Sequence, residues 1–95
     1  MRYVVLPKAR SDLDDIWDYT TDRWSAEQAE RYIRLIHSAV DTVAADPTRG
    51  RPCDEIRPGY RKYPVGSHMI FFRIRRDQVE IVRILHQRMD FDRHL

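Results

Sequence analysis

The sequence predicts an α+β domain in which an antiparallel two-helix hairpin forms one layer and a sheet the other. Three observations predict it. A short apolar run, Tyr3-Val-Val-Leu6, is closed by Pro7; a helical spacing of apolar residues then governs 8–45; and from Tyr60 onward three apolar runs alternate with two-residue turn signals. The order is an N-terminal strand, two helices, a three-stranded antiparallel meander and a short C-terminal tail. A chain of 95 residues holds one such domain, spanning 1–95, with a single modest core.

Each element has a local cause. Tyr3-Val-Val-Leu6 is short and β-prone, and proline disfavours its continuation. From Lys8, residues Ala9, Leu13, Ile16, Trp17, Thr20 and Trp24 recur at spacings of three and four, one stripe of an amphipathic helix. This stripe places Trp17 and Trp24 in the core. The other face carries Asp12, Asp14, Asp15, Asp18 and Asp22, which would favour the early turns through the helix dipole. Ser25-Ala-Glu-Gln28 has the form of a capping box and opens a second helix, whose stripe is Ala29, Tyr32, Ile33, Ile36, Val40 and Val43. Asp46-Pro47 ends it, because a proline disfavours helical geometry in the residue before it. Residues 48–59 are irregular. Strands follow at 60–65, 69–75 and 78–86, with turns at Gly66-Ser67 and Arg76-Asp77.

A turn centred on Arg76-Asp77 sets Arg75 against Gln78, Ile74 against Val79 and Arg73 against Glu80. One side of the hairpin then carries Ile70, Phe72, Ile74, Val79, Ile81 and Leu85. The other carries Met69, Phe71, Val82 and Ile84, with the Arg73–Glu80 pair and His86 at its margin. One helical layer covers one side only. The second side is then an apolar patch rimmed by charge, suited to a protein partner unless the C-terminal tail folds back over it.

The charged share of 34% and apolar share of 42% fit a globular chain, and the formal net charge is +2. The charges are unevenly placed. The first helix is acidic, whereas Arg49, Arg51, Arg57, Arg61, Lys62, Arg73, Arg75, Arg76, Arg83, Arg88 and Arg93 crowd the later half, which favours an anionic partner or simply a solvated face. A lone cysteine, Cys53, excludes an internal disulfide and fits a reducing cytoplasm. No leader pattern and no apolar run of bilayer length appear, so a cytoplasmic protein without a membrane partner is expected.

His68, His86 and His94 are candidate acid/base groups. His86 and His94, with Arg88 to neutralise a phosphate, would suit attack on a phosphodiester by a ribose hydroxyl; alternatively His86 ends a strand and pairs with Asp90 or Asp92. His86, Asp90 and His94 would share a face of a helix as metal ligands, but His86 reads as strand, so no metal and no other cofactor is expected. The arginine-rich stretch Gly50 to Lys62, with Tyr60, would grip nucleic acid through phosphate contacts, or else guard a strand edge.

Several segments together carry a family resemblance. They are Asp12-Leu-x-x-Ile-Trp-x-Tyr19, Trp24-x-x-x-Gln28-Ala29, Asp46-Pro-x-x-Gly-Arg51, Ile56-Arg-Pro-Gly-Tyr-Arg61, Gly66-Ser-His68, Arg83-Ile-Leu-His-x-x-Met-Asp90 and Arg93-His-Leu95. In this order they resemble the ParE toxins of bacterial type II toxin–antitoxin modules, within the RelE/ParE superfamily and its fold. The resemblance implies a bacterial cytoplasmic toxin that inhibits DNA gyrase without being an enzyme, with no small-molecule substrate, and that is held in a tight complex by a ParD-like antitoxin. The antitoxin would meet Met69, Phe71, Arg73, Val82 and Ile84, or lie along the helical hairpin. The target would meet Arg57, Tyr60, Arg61, His86, Arg88, Asp90 and His94. The RelE branch of the superfamily instead cleaves mRNA on the ribosome. Lys62 and Arg88 sit near basic positions of that branch, but near Met69 an apolar residue replaces its strand arginine, so catalysis by His86, Arg88 and His94 is the alternative reading.

Overall fold

The computed structural model describes residues 1–95. Its elements are β1 (Arg2–Val5), α1 (Pro7–Arg23), α2 (Ala26–Ala45), a 3-10 turn (Pro47–Arg49), β2 (Arg51–Pro52), β3 (Tyr60–Val65), β4 (His68–Arg75), β5 (Gln78–His86) and α3 (Phe91–His94). The five strands form one sheet in the order β1-β5-β4-β3-β2, with β1 parallel to β5 and the other pairs antiparallel. The α+β class and the predicted order hold. Three small elements are additions, the 3-10 turn after α2, the two-residue β2 on the outer edge and α3 in the tail.

Helix α1 starts at Pro7 rather than Lys8, since proline at the first helical position carries no N–H that needs a partner. None of its aspartates lies in the first turn, so the dipole explanation for them fails. The capping at Ser25 is real: its side chain accepts the Gln28 N–H at 3.0 Å. Helix α2 ends at Ala45, and Asp46 caps the following turn through Thr48.

The main core lies between the helices and one side of the sheet, and joins Ala9, Ile16, Ile36, Val40 and Val43 to Val65, Ile70, Phe72, Val79, Ile81 and Ile84. The predicted pairing of Arg75, Ile74 and Arg73 with Gln78, Val79 and Glu80 is present. Past Phe72 the register shifts: Phe72 pairs with Ile81, but Phe71 pairs with Arg83. Val82 is the extra residue of a β-bulge, and a bulge reverses the facing of all that follows. Ile84 therefore enters the main core, and Leu85 moves to the other side, opposite to the even alternation expected from sequence. Ile74, expected among the covered residues, is 48% exposed near the hairpin tip.

The second sheet face is closed. Phe71 and Leu85, with Cys53, form a small interior cluster against which Ile56, Tyr60, Met69, Phe91 and Leu95 pack. Phe91 meets Phe71 edge to face at 4.8 Å between ring centroids. The tail and the 53–60 loop thus cover what register alone left open.

Candidate partner-binding site

Beyond Val5, β5 has lost its β1 neighbour, and a side chain replaces the missing strand. Asp12, on the inner side of α1, accepts the Ile84 N–H at 2.9 Å and takes a two-pronged contact from Arg83, Nε and Nη2 each at 2.8 Å. Arg83 also donates to the His94 carbonyl at 2.7 Å, which ties the tail to the same point. The Asp12 hydrogen bond raises the Arg83 pKa above its ordinary value. One ionic contact therefore fixes the angle between helix and sheet and sets the edge of a groove.

That groove runs between the end of α1 and the ends of β4 and β5. It has about 380 Å³ of space beside Asp12, Asp15, Ile16, Tyr19, Thr20, His68, His86 and Met89, and continues past Trp24, Gln28 and Tyr32. No lysine or arginine lines it. His68 and His86 are cross-strand partners, with ring centroids 5.3 Å apart. The Tyr32 hydroxyl accepts the Ser67 N–H at 3.0 Å and shares a hydrogen bond of 2.6 Å with His68 Nδ1, with the Val65 carbonyl 3.4 Å away. Burial, and then the neighbouring His86, push the His68 pKa down to about 4, so near neutrality the ring is uncharged. Burial raises the Tyr32 hydroxyl pKa, against the hydrogen bonds from Ser67. His86 Nδ1 accepts the Arg88 N–H at 3.1 Å.

The helical hairpin presents Tyr19 and Trp24 at the mouth of the groove. Trp24 is 72% exposed and Tyr19 60%, with Trp17 and Met89 also exposed. The core positions expected for Trp17 and Trp24 are therefore corrected. Only Ala9 and Ile16 of α1 are fully buried, and Trp24 lies past the helix end in a non-helical conformation.

The residues expected to bind partners are dispersed. Phe71 is 0% and Ile84 2% exposed, so neither forms part of an open face; Met69 and Val82 are half-buried. Arg73 pairs with Glu80 at 2.7 Å and donates to the Tyr60 hydroxyl at 3.1 Å, and the hydrogen bond to Glu80 raises its pKa. Arg57 holds the tail through the Leu95 carbonyl at 2.7 Å and through Asp92, and Arg61 holds the Gly50 carbonyl at 2.7 Å. His86 lies in the groove, whereas Arg88, Asp90 and His94 are exposed residues of the tail that do not line it. The trio His86, Arg88 and His94 is not gathered into one site. His86, Asp90 and His94 share no helix, because His86 ends β5 and α3 begins at Phe91. Sequence reasoning missed the role of Tyr32 and set Asp12 on the outer face with the other aspartates, which the structure corrects: Asp12 turns inward to β5, and its one signal was a position three after Ala9 and four before Ile16.

A helical hairpin packed on a small, mostly antiparallel sheet, with an open groove at one end, defines a small α+β domain of one helical layer on one sheet. The comparisons make this particular. Residues 3–91 match the family model described as the ParE toxin of type II toxin–antitoxin system, parDE. Toxin ParE1 of Mycobacterium tuberculosis is 53% identical, over 99% of this chain and 97% of its own length. Toxin ParE1 of Caulobacter vibrioides is 42% identical, over 98% and 96%. A solved structure titled as the chromosomal ParDE TA system from P. aeruginosa superposes with a TM-score of 0.80 at 27% identity, covering 90% of this chain and 95% of that one. The chain belongs to the ParE toxin family of type II toxin–antitoxin systems.

Proposed function

We propose that this toxin acts by binding DNA gyrase and inhibiting it, and that a ParD-like antitoxin neutralises it in a tight complex seated on the groove between helical hairpin and strand ends. The observation that carries the binding reading is the lining of that groove. It gathers His68 and His86 beside Asp12 and Asp15 without one lysine or arginine, a setting that repels a phosphodiester and offers no cation for its transition state. Its mouth instead exposes Trp24, Tyr19 and Met89, side chains of the type that anchor protein interfaces. Met69, Arg73 and Val82 would meet the antitoxin only at the margin of the covered face. Arg57, Tyr60 and Arg61 would meet the target by their outer edges, beside Arg88, Asp90 and His94.

The test measures supercoiling by purified gyrase, cleavage of translated mRNA and affinity for the antitoxin in parallel, with the unaltered chain and with Trp24→Ala, His86→Ala and Arg88→Ala. The expected result is inhibited supercoiling, intact mRNA, and at least about a tenfold loss of antitoxin affinity for Trp24→Ala. Cleavage of mRNA that His86→Ala or Arg88→Ala abolishes, with supercoiling untouched, would establish the endoribonuclease alternative instead.

A further inference from the structure

Arg49, Arg51 and Lys62 come from three successive elements, the 3-10 turn, β2 and β3, and line one concavity of about 400 Å³ with Tyr63, Pro64 and Met69. No acidic residue lines it. The other arginines around it are engaged, Arg61 with Gly50 and Arg73 with Glu80, but none of these three cations makes an ion pair or a side-chain hydrogen bond. Asp46 commits its Oδ1 to the Thr48 N–H and hydroxyl and meets Arg49 only through longer-range attraction, without an ion pair. Arg51 and Lys62 are moreover direct cross-strand partners. Like charges directly opposite one another in an antiparallel pair destabilise it. A two-residue strand has little pairing to spare for such repulsion, so an anion that bridges the two is the simplest compensation.

We propose that this concavity is a binding site for the phosphate backbone of duplex DNA, distinct from the groove that holds the histidines and independent of which protein the toxin inhibits. Three features select this ligand. Converging unpaired cations with no acid among them match a run of phosphates. Tyr63 packs against the main core, so its ring is not free as a stacking platform, which disfavours unpaired bases. An acidic peptide would dock best by extending the sheet, but the β3 edge beyond Lys62 contains Pro64, which has no N–H to donate.

The experiment is fluorescence anisotropy of the purified full chain with a labelled DNA duplex, a single-stranded RNA of equal length and a polyglutamate peptide, across a salt series. Three phosphate contacts predict a log–log salt slope near −2.7, or about a 40-fold loss of affinity between 50 and 200 mM salt. Arg51→Glu is the informative variant. It should weaken duplex binding about tenfold or more while melting at or above the unaltered chain, because the like-charge pair becomes an opposite-charge pair. Lys62→Gln, which removes one cation without reversing it, should make the slope shallower by about 0.9. The proposal is overturned if Arg51→Glu binds duplex unchanged, in which case the cations only guard the sheet edge. It is equally overturned if Arg51→Glu melts well below the unaltered chain, or if RNA single strands or polyglutamate bind as tightly as the duplex.

Discussion

Replacing Asp12 perturbs the contact that sets helix against sheet. Asp12→Ala removes two charge-assisted hydrogen bonds of 2.8 Å from Arg83 and strips the Ile84 N–H of its acceptor. The paired side chains are only 11% and 17% exposed, so the guanidinium left behind has little water to turn to. Breaking a buried pair from one side costs about 3–5 kcal/mol, and the partial access of solvent at the sheet edge places this case near 3 kcal/mol. Asp12→Asn keeps an acceptor for Ile84 and loses the charge, for a smaller cost of about 2 kcal/mol. For a domain of this size each kcal/mol moves Tm by about 4–8 °C, so Asp12→Ala should melt roughly 12–24 °C lower. Urea unfolding followed by circular dichroism reads these losses, and a double-mutant cycle with Arg83→Ala should return a coupling of about 2 kcal/mol. Hydrogen exchange adds a local readout, since the Ile84 amide should lose protection ahead of its neighbours in β5. A loss under about 1 kcal/mol for Asp12→Ala, or additive effects within about 0.5 kcal/mol in the cycle, would refute the reasoning.

Other outcomes follow from the same geometry. His68 is held uncharged down to about pH 4, whereas the unfolded imidazole takes up a proton below its ordinary 6.5. The unfolded state thus binds more protons between those values, and His68 makes stability fall as pH drops through the window. The contribution is about 1–2 kcal/mol once solvent at the groove mouth is allowed for, and comparing the urea midpoints of the unaltered chain and His68→Gln at pH 7.5 and 4.5 isolates it. Gly50→Ala would set a methyl 2.3 Å from Phe72 Cζ, so it should lower stability by about 1–3 kcal/mol by thermal melting. Arg76 and Asp77 both have positive φ, 53° and 60°, in the β4–β5 turn, so Asp77→Gly should stabilise the chain by about 0.5–1 kcal/mol in the same assay.

What was legible in the sequence was whatever depends on near neighbours. The cap at Ser25, the stop at Asp46-Pro47 and the turn at Arg76-Asp77 all lie where the residue types place them, and the Arg73–Glu80 pair follows from that turn. The bulge at Val82 was not legible, because Ile81, Val82, Ile84 and Leu85 are apolar on either register and alternation is silent there. Its one trace was Arg83, which an unbroken alternation places on the same side as Val79 and Ile81. The closed second face was stated as an alternative, but nothing local weighs Phe91 and Leu95 against a partner protein for Phe71. Trp17 and Trp24 deceived for a related reason. Helical spacing marks a stripe, but the width of that stripe that is buried depends on how the sheet meets the helix.

The central claim is that this toxin works by occupying its target rather than by turning over a substrate. A titration of the purified chain into a fixed concentration of gyrase, with supercoiling as the readout, tests it most directly. Occupancy predicts inhibition that grows in proportion to toxin, saturates near stoichiometric amounts and is reversed by adding a ParD-like antitoxin. Full loss of supercoiling at a small fraction of the gyrase concentration, growing with time and not restored by antitoxin, would mean catalytic damage and would contradict the account.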